Sequence, residues 1–164
     1  MGLAGSALTD HGNIAGSVAF TKEMKKNGLK PILGCELYVC KKHARERNKE
    51  NSSLNHLVVL AKNLTGWKQL IRITSESNKP EFFYRKPRLN LEQLSEFCNG
   101  NLISFSGHLG SDLAEALFLN GAIKEADGLS YEEIKSLIRP DWIEHTSELA
   151  LKYQEIFGLY LIHI

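Results

Sequence analysis

Several features that define common protein classes are absent from this sequence of 164 residues. No window holds the ~18 consecutive apolar residues of a membrane-spanning helix, and no apolar core develops after Met1 as it would in a secretory signal. Cysteine is scarce, because only Cys35, Cys40 and Cys98 occur, an odd number without a C-x-x-C pair. We therefore expect a reduced, cytoplasmic chain that makes no contact with a membrane.

An excess of charge of either sign is also lacking. Lys and Arg total 20 against 19 Asp and Glu, and the resulting net charge of +1 disfavours a small basic nucleic-acid-binding module. The charges are nevertheless divided unevenly, with 16 basic and 9 acidic residues in 1–110, and 4 and 10 in 111–164. Two solvated faces of one fold explain this division, and so does a bipolar surface that docks a partner.

Signatures of nucleotide binding and of a serine nucleophile are missing too. The glycines match neither a P-loop nor the G-x-G-x-x-G fingerprint. Ser106 precedes a glycine, but no G-x-S-x-G elbow surrounds it. Function must therefore come from other residues.

Short apolar runs alternate with helical periodicities along the chain. Strands are predicted over 3–8, 32–39, 56–61, 101–106 and 159–164, and helices over 14–27, 65–73, 91–97, 112–119 and most of 130–157. Asn13 and Thr65 are the predicted caps of the first two helices. Loops are predicted over the polar segment 41–53 and the proline-containing, aromatic segment 78–90. The alternation predicts an α/β fold with βαβ units and mostly parallel strands.

Residues that ligate metals recur on or beside the predicted strands. Asp10 and His11 follow the first strand, Glu36 lies within the second, His56 opens the third and His108 follows the fourth. In α/β folds, the carboxyl ends of parallel strands meet at one crevice. A mixture of His, Asp and Glu suits Zn²⁺, Mn²⁺ or Fe²⁺ better than Ca²⁺. We therefore predict a site in which two or three ions bind a phosphate and activate a water.

Each of these residues also has a purely structural explanation. A turn that caps a helix accounts for 10–13, and an edge strand facing solvent accounts for Glu36. His56 fits a hydrogen-bonded strand histidine, and His108 fits a loop histidine. The sequence leaves these alternatives open, although a carboxylate inside an apolar strand is costly unless it is paired, bound to metal or hydrated.

One segment combines aromatic and basic residues. Within 82–88, Arg85, Lys86 and Arg88 are candidate contacts to single-stranded nucleic acid, with neighbouring aromatic rings for base stacking. The alternative is a loop that packs on its own aromatic side chains.

Six segments in order, 9–13, 30–39, 56–67, 83–89, 102–110 and 153–158, carry a family resemblance. They read TDHGN, KPILGCELYV, HLVVLAKNLTGW, FYRKPRL, LISFSGHLG and YQEIFG. The ordered set resembles the PHP (polymerase and histidinol phosphatase) domain, in the form found at the amino end of bacterial DNA polymerase III alpha subunits. No single segment is decisive, but together they cover nearly the whole chain.

The resemblance implies a fold, a cofactor and an activity. The expected fold is a distorted (β/α)7 barrel with a cluster of two to three zinc or manganese ions. Ligands carry over to Asp10 or His11, and to Glu36, His56 and His108. The expected function is that of the PHP portion of a replicative DNA-directed DNA polymerase in DNA replication, with a metal-dependent phosphoesterase or 3′–5′ exonuclease site.

Two family motifs are not found within the chain. A His-x-His pair is expected upstream of Met1 and an Asp-x-His pair beyond Ile164, so residues 1–164 are predicted to be an incomplete PHP domain that cannot itself polymerise DNA. The expected partners are the rest of a polymerase chain, DNA and a proofreading exonuclease subunit. The alternatives are a stand-alone PHP-type phosphoesterase and a metal-free structural or docking module.

Overall fold

The central feature of the part of the fold that the structure describes is a five-stranded sheet. The computed structural model describes residues 2–106, 110–117, 128–130, 132–133, 136, 140–158 and 161–162. The strand order is β1-β2-β3-β4-β5, formed by Gly5–His11, Lys30–Cys40, Leu54–Ala61, Leu102–Phe105 and Leu161–Ile162. The two longest strands, β2 and β3, lie side by side and are rich in Val and Leu, residues that fit a half-buried pleated surface.

The sheet is mixed, which corrects the prediction of mostly parallel pairing. β1 pairs with β2 and β4 with β5 in parallel, whereas β3 is antiparallel to both of its neighbours. Residues 41–53 connect β2 to β3 through turns and bends alone. Such a connection reverses the chain, because a parallel pair needs a longer crossover that is usually helical.

The helices flank the sheet. The first begins after Gly16 without a side-chain cap, so the predicted cap Asn13 is wrong, whereas the second and third begin at polar caps. The Asn63 side chain accepts a hydrogen bond from the backbone N–H of Gly66 at 3.0 Å, so Asn63, rather than the predicted Thr65, caps the second helix. Asn90 and Gln93 form a reciprocal capping box on the third. Among the described residues, no helix is both long enough and apolar enough to span a membrane. The helices of the described residues are α1 Ser17–Lys26, α2 Leu64–Ser77, α3 Leu91–Ser95, α4 Asp112–Leu117 and α5 Pro140–Phe157.

The hydrophobic core covers one face of the sheet, which we call the core face. It is built from alternate residues of β2 and β3 and from one side of α2 and α5, and burying each large side chain contributes roughly 1.5–3 kcal/mol. We call the opposite face, which carries the residues between them, the site face. The core members on these four elements that lie on this face are Cys35, Leu37, Val39, Leu57, Val59, Leu70, Ile73, Tyr153 and Phe157.

A buried arginine joins the two long loops. Arg88 is fully inaccessible, and its guanidinium donates hydrogen bonds to the backbone carbonyls of Asn51, Ala44 and Glu46, the last two at 3.0 and 2.9 Å. Neutral carbonyls therefore stabilise the buried charge, and no carboxylate is needed. The polar loop 41–53 is thus tied to the segment 78–90 in the interior.

Candidate metal centre

Strand register brings three of the predicted ligands to one face. His11 lies opposite Glu36 in the parallel β1–β2 pair, and Tyr38 lies opposite His56 in the antiparallel β2–β3 pair. Paired positions share a face of a sheet, and so do residues two apart on one strand. His11, Glu36, Tyr38 and His56 therefore all belong to the site face. His56 reaches this end of the sheet from the amino end of an antiparallel strand, whereas the sequence predicted carboxyl ends of parallel strands.

The donor atoms of His11, Glu36 and His56 converge. Nδ1 of His11 lies 3.3 Å from Oε2 of Glu36, and Nδ1 of His56 donates a hydrogen bond to Oε1 of the same carboxylate. One ligand atom from each residue lies within 4.8 Å of the other two. We call this group the His11–Glu36–His56 centre. Two imidazole nitrogens and one carboxylate oxygen form a donor set that suits Zn²⁺ or Mn²⁺.

Two side chains of the centre are mostly buried, and the third is largely exposed. The Glu36 side chain is 13% exposed and the His56 side chain 26%, whereas the His11 side chain is 68% exposed. Glu36 lies on a strand that is paired on both sides, so it is not the solvent-facing edge residue of the alternative interpretation. Its two imidazole partners offset the cost of placing a carboxylate in an apolar strand.

The turn after β1 fixes the position of His11. Gly12 has a φ of +66°, a region that favours glycine, and its N–H donates to the carbonyl of Glu36 at 2.9 Å. A Cβ at Gly12 would also lie 2.6 Å from Cγ of Pro87. The Asn13 side chain donates to the carbonyl of His11 at 3.0 Å. From the sequence, a turn and a metal ligand were alternative explanations of residues 10–13. In the structure both occur, because the turn directly follows the candidate ligand His11.

Asp10 lies outside the centre. It precedes His11 and so belongs to the core face, where its Oδ2 accepts a hydrogen bond from the backbone N–H of Gly16 at 3.0 Å. This bond stabilises the start of α1, because the first N–H groups of a helix lack partners within it. Of the two neighbouring candidates, the structure brings only His11 to the other ligands.

His108 lies outside the described residues, and its role as a ligand stays a prediction. The carbonyl of the nearby Gly110 accepts a hydrogen bond from the backbone N–H of His56 at 3.0 Å. This bond brings the start of residues 110–117 to the end of β3 that carries the centre.

Tyr38 is a site residue that the sequence analysis missed. Its ring stacks with the His11 imidazole at a centroid distance of 6.4 Å and meets the His56 ring edge-on at 5.2 Å. Its hydroxyl accepts a hydrogen bond from Nζ of Lys86 at 3.2 Å. A signal was available, because Tyr38 is two residues from Glu36 on one strand and therefore shares its face.

The three predicted nucleic-acid contacts occupy different environments. Arg85 is exposed, and Lys86 places its ammonium 5.0 Å from the ring centroid of Tyr38. Arg88, by contrast, is fully buried, so in this structure it is inaccessible to nucleic acid. Phe82 is buried as well, which agrees with the alternative of a loop packed on its own aromatic side chains.

The cysteines offer no reactive thiolate. Burial raises the pKa of Cys35 to about 12, and it does the same for Cys98. Cys40 is also buried, and burial raises its pKa above the usual value. Because the thiolate is the reactive form, these thiols are poor nucleophiles near neutral pH.

A pair of acidic residues, Asp112 and Glu115 of α4, borders a cavity of about 660 Å³. Asn55 donates to both carboxylates at 2.8 and 3.0 Å, Tyr153 donates to Asp112 at 3.3 Å, and Lys41 pairs with Glu115 at 2.5 Å. Burial raises the pKa of Asp112. Burial also acts to raise the pKa of Glu115, but hydrogen bonds from Lys41 and Asn55 outweigh it and the pKa is lowered. Protein donors thus satisfy both carboxylates, and we assign no ligand to this pair.

Residues 1–162 match the protein-family model described as PHP domain. The DNA polymerase III subunit alpha of Chlamydia trachomatis serovar D is 38% identical over 130 residues, which is 78% of this chain and 10% of that protein. The protein of the same name from Thermus aquaticus is 42% identical over 113 residues, which is 66% of this chain and 9% of that protein. The DNA polymerase III subunit alpha of Chlamydia pneumoniae is 35% identical over 161 residues, which is 96% of this chain and 12% of that protein. The chain thus spans 9–12% of the length of these curated relatives.

Proposed function

Because this chain belongs to the PHP domain family, we propose that it is the amino-terminal PHP portion of a replicative DNA-directed DNA polymerase of the DNA polymerase III alpha kind. Relatives with that printed name, one of which matches 97% of the chain, support the proposal. A role in DNA replication follows, with the rest of a polymerase chain as a partner. DNA and a proofreading exonuclease subunit are the further partners that we propose.

The proposed architecture is a distorted (β/α)7 barrel with the site face lining its interior. The two faces of the sheet support this arrangement. Apolar side chains of the core face pack against helices, whereas the site face presents polar ligands at one end of the strands. Enzymes built on (β/α) barrels carry their sites at one end of the barrel, where the parallel strands have their carboxyl ends.

The proposed activity is metal-dependent phosphoester hydrolysis, which on a DNA strand is 3′–5′ exonuclease activity. The observation that carries it is the convergence of two imidazoles and one carboxylate from three strands. Ligands on paired strands are held in place by the sheet before any ion binds. A divalent cation held there, zinc or manganese by the donor set, supplies Lewis-acid polarisation of a phosphoryl oxygen and activation of a water.

The chain's own residues orient the centre and shape access to it. The Glu36 carboxylate contacts both imidazoles and so restrains their rotation. The Tyr38 ring lies beside the two imidazoles, and the largely exposed His11 leaves access for a substrate. We propose His108 as an additional ligand in a cluster of two to three ions.

The test compares the wild-type chain with Glu36→Gln. Calorimetry measures Zn²⁺ and Mn²⁺ binding, and a 3′-labelled single-stranded oligonucleotide reports hydrolysis with and without EDTA. We expect Glu36→Gln to weaken metal binding by about a hundredfold or more, since losing even an outer-shell partner costs 10–100-fold. Hydrolysis should fall to the EDTA background while the far-UV circular dichroism stays unchanged.

Glu92→Gln is the matched control, because Glu92 is an exposed carboxylate in α3 away from the centre. It should leave both readouts at the wild-type level. Hydrolysis by Glu36→Gln at the wild-type rate would overturn the assignment of the site. Hydrolysis of small monoesters alone would favour a stand-alone phosphoesterase, and a wild-type chain with neither metal binding nor hydrolysis would favour a docking module.

A further inference from the structure

The segment 84–89 lies directly beside the His11–Glu36–His56 centre. β1 ends at His11, opposite Glu36, and leaves the following part of β2 with a free edge. Leu89 occupies that edge: its N–H donates to the carbonyl of Tyr38 at 3.3 Å, and its carbonyl accepts from the N–H of Cys40 at 3.1 Å. The segment therefore continues the sheet where β1 stops.

Contacts on both sides of Lys86 hold it in place. Pro87 packs against Gly12, the residue that follows the ligand His11. Arg88 is anchored in the interior by three backbone carbonyls of residues 44–51. The segment that carries Lys86 is thus held on one side by the turn at Gly12 and on the other by the loop 41–53.

The backbone at Arg85 adds an independent observation. Arg85 has a φ of +62°, in the left-handed region that non-glycine residues rarely adopt. The strained turn closes through a hydrogen bond from the N–H of Tyr84 to the carbonyl of Lys86 at 3.2 Å. Strain of this kind persists where the surrounding structure imposes it, and it clusters at ligand-binding sites. Here it determines the direction in which residue 86 leaves the turn.

The ammonium of Lys86 is held on the ring that contacts both ligand imidazoles. It donates a hydrogen bond to the Tyr38 hydroxyl at 3.2 Å. The Tyr38 ring in turn contacts His11 and His56. An ammonium has three donors, so two are left for another acceptor. Among the described residues, no carboxylate pairs with Lys86.

We propose that Lys86 binds a non-bridging phosphate oxygen of the substrate, and that Tyr38 is the positioning residue that holds its ammonium beside the centre. The inference rests on the proposed phosphoester hydrolysis and specifies the substrate class as an anionic phosphate ester. A lysine suits this role because its ammonium is a compact point charge that binds phosphate without a fixed fork geometry. Lys86 is itself exposed, so a substrate phosphate can reach its ammonium.

The test measures phosphate binding and metal binding separately on the full chain. Inorganic phosphate and dithymidine phosphate, a simple phosphodiester, are titrated onto the protein with and without saturating Mn²⁺. We expect Lys86→Met to weaken binding of both probes about tenfold or more, as for the loss of one charge-assisted hydrogen bond. The affinity for Mn²⁺ should stay within about twofold of wild type, since Lys86 is not a ligand.

Lys68→Met is the matched control, because it removes the same charge from an exposed lysine of α2, a helix that packs on the core face. It should change phosphate affinity by less than about threefold, the effect expected of an exposed charge. Tyr38→Phe keeps the ring and removes the hydroxyl. It should raise the KM for an oligonucleotide while leaving kcat and Mn²⁺ affinity near wild type, a split that a general loss of structure does not produce.

The outcomes separate the two proposals. Equal phosphate affinity of wild type and Lys86→Met overturns the role of Lys86, whether or not the wild type hydrolyses phosphoesters. Absence of Mn²⁺ binding in the wild type overturns the proposed metal activity. In that case a lower phosphate affinity of metal-free Lys86→Met than of metal-free wild type still supports the phosphate site.

Discussion

The two faces of the sheet differ sharply although they are built from the same strands. On β2, Cys35, Leu37 and Val39 are buried in the core, and the alternating Glu36 and Tyr38 form the candidate centre. β3 repeats the division, with Leu57 and Val59 on the core face and His56 on the site face. Because successive side chains of a strand point to opposite faces, residues of the candidate centre and residues of the core are neighbours in the sequence.

Buried polar groups have different partners on the two faces of the sheet. On the core face, Asn55 and Tyr153 donate hydrogen bonds to the Asp112 carboxylate. On the site face, Glu36 meets two imidazoles that are themselves metal-binding groups. We expect substitutions on the core face to change stability and those on the site face to change ligand binding.

The largest expected effect is from Leu57→Ala on the core face. Leu57 is 2% exposed, and truncation leaves a cavity that the neighbouring side chains fill only in part. We expect the free energy of unfolding to fall by about 2–4 kcal/mol, measured by urea denaturation followed by circular dichroism. Zn²⁺ affinity of the folded fraction should be unchanged.

Val58→Ala is the control one residue away, because Val58 lies on the site face and is only partly buried. It should cost about 1 kcal/mol or less, the usual effect of truncating a partly exposed side chain. Equal costs at both positions would show that the site face is packed as tightly as the core face and would remove the contrast.

A smaller effect of opposite sign is expected from Glu36→Leu. Leucine fits the apolar strand and removes a half-buried carboxylate, so in metal-free buffer we expect the free energy of unfolding to rise by about 0.5–1 kcal/mol. Metal binding, measured by calorimetry, should be lost. A fall in stability would instead identify Glu36 as a structural partner of the two histidines, retained for packing.

The smallest effect concerns pH and the carboxylates of α4. Burial raises the pKa of Asp112 above its unfolded value, so the folded state holds this proton more tightly and stability decreases as pH rises through that range. Asp112→Asn cannot ionise, and its stability advantage over wild type should therefore grow from pH 4 to pH 7. Urea midpoints at each pH give the measurement.

Glu115→Gln should show the opposite slope. The pKa of Glu115 is lowered, because hydrogen bonds from Lys41 and Asn55 outweigh burial. Its stabilisation is present above the unfolded pKa and is lost as pH falls through the folded pKa. The exposed Lys41–Glu115 pair makes this contribution small. Identical slopes for the two variants would show that the hydrogen-bond network does not separate the two carboxylates.

Local pattern predicted most of the elements and part of the centre. The strands β1 to β4 occur near their predicted positions, and alternation was enough to separate Glu36 from the buried Cys35 and Leu37. The sequence also selected His11, Glu36 and His56 as ligands, which the structure brings together. Element ends were less predictable, since the cap of α2 is Asn63 and α1 begins at Ser17.

Contacts between distant parts of the chain decided the rest. Antiparallel pairing of β3, the exclusion of Asp10 from the centre and the burial of Arg88 depend on which segments pack together. Lys86 and Tyr38 are 48 residues apart, and Arg88 and Asn51 are 37 apart. Which residues of a strand share a face follows from their positions in the chain alone, because alternation is a property of the extended backbone. Which residues of different strands and loops come into contact depends on the whole fold, because strand direction and loop anchoring are set by burial and hydrogen bonding summed over all of it.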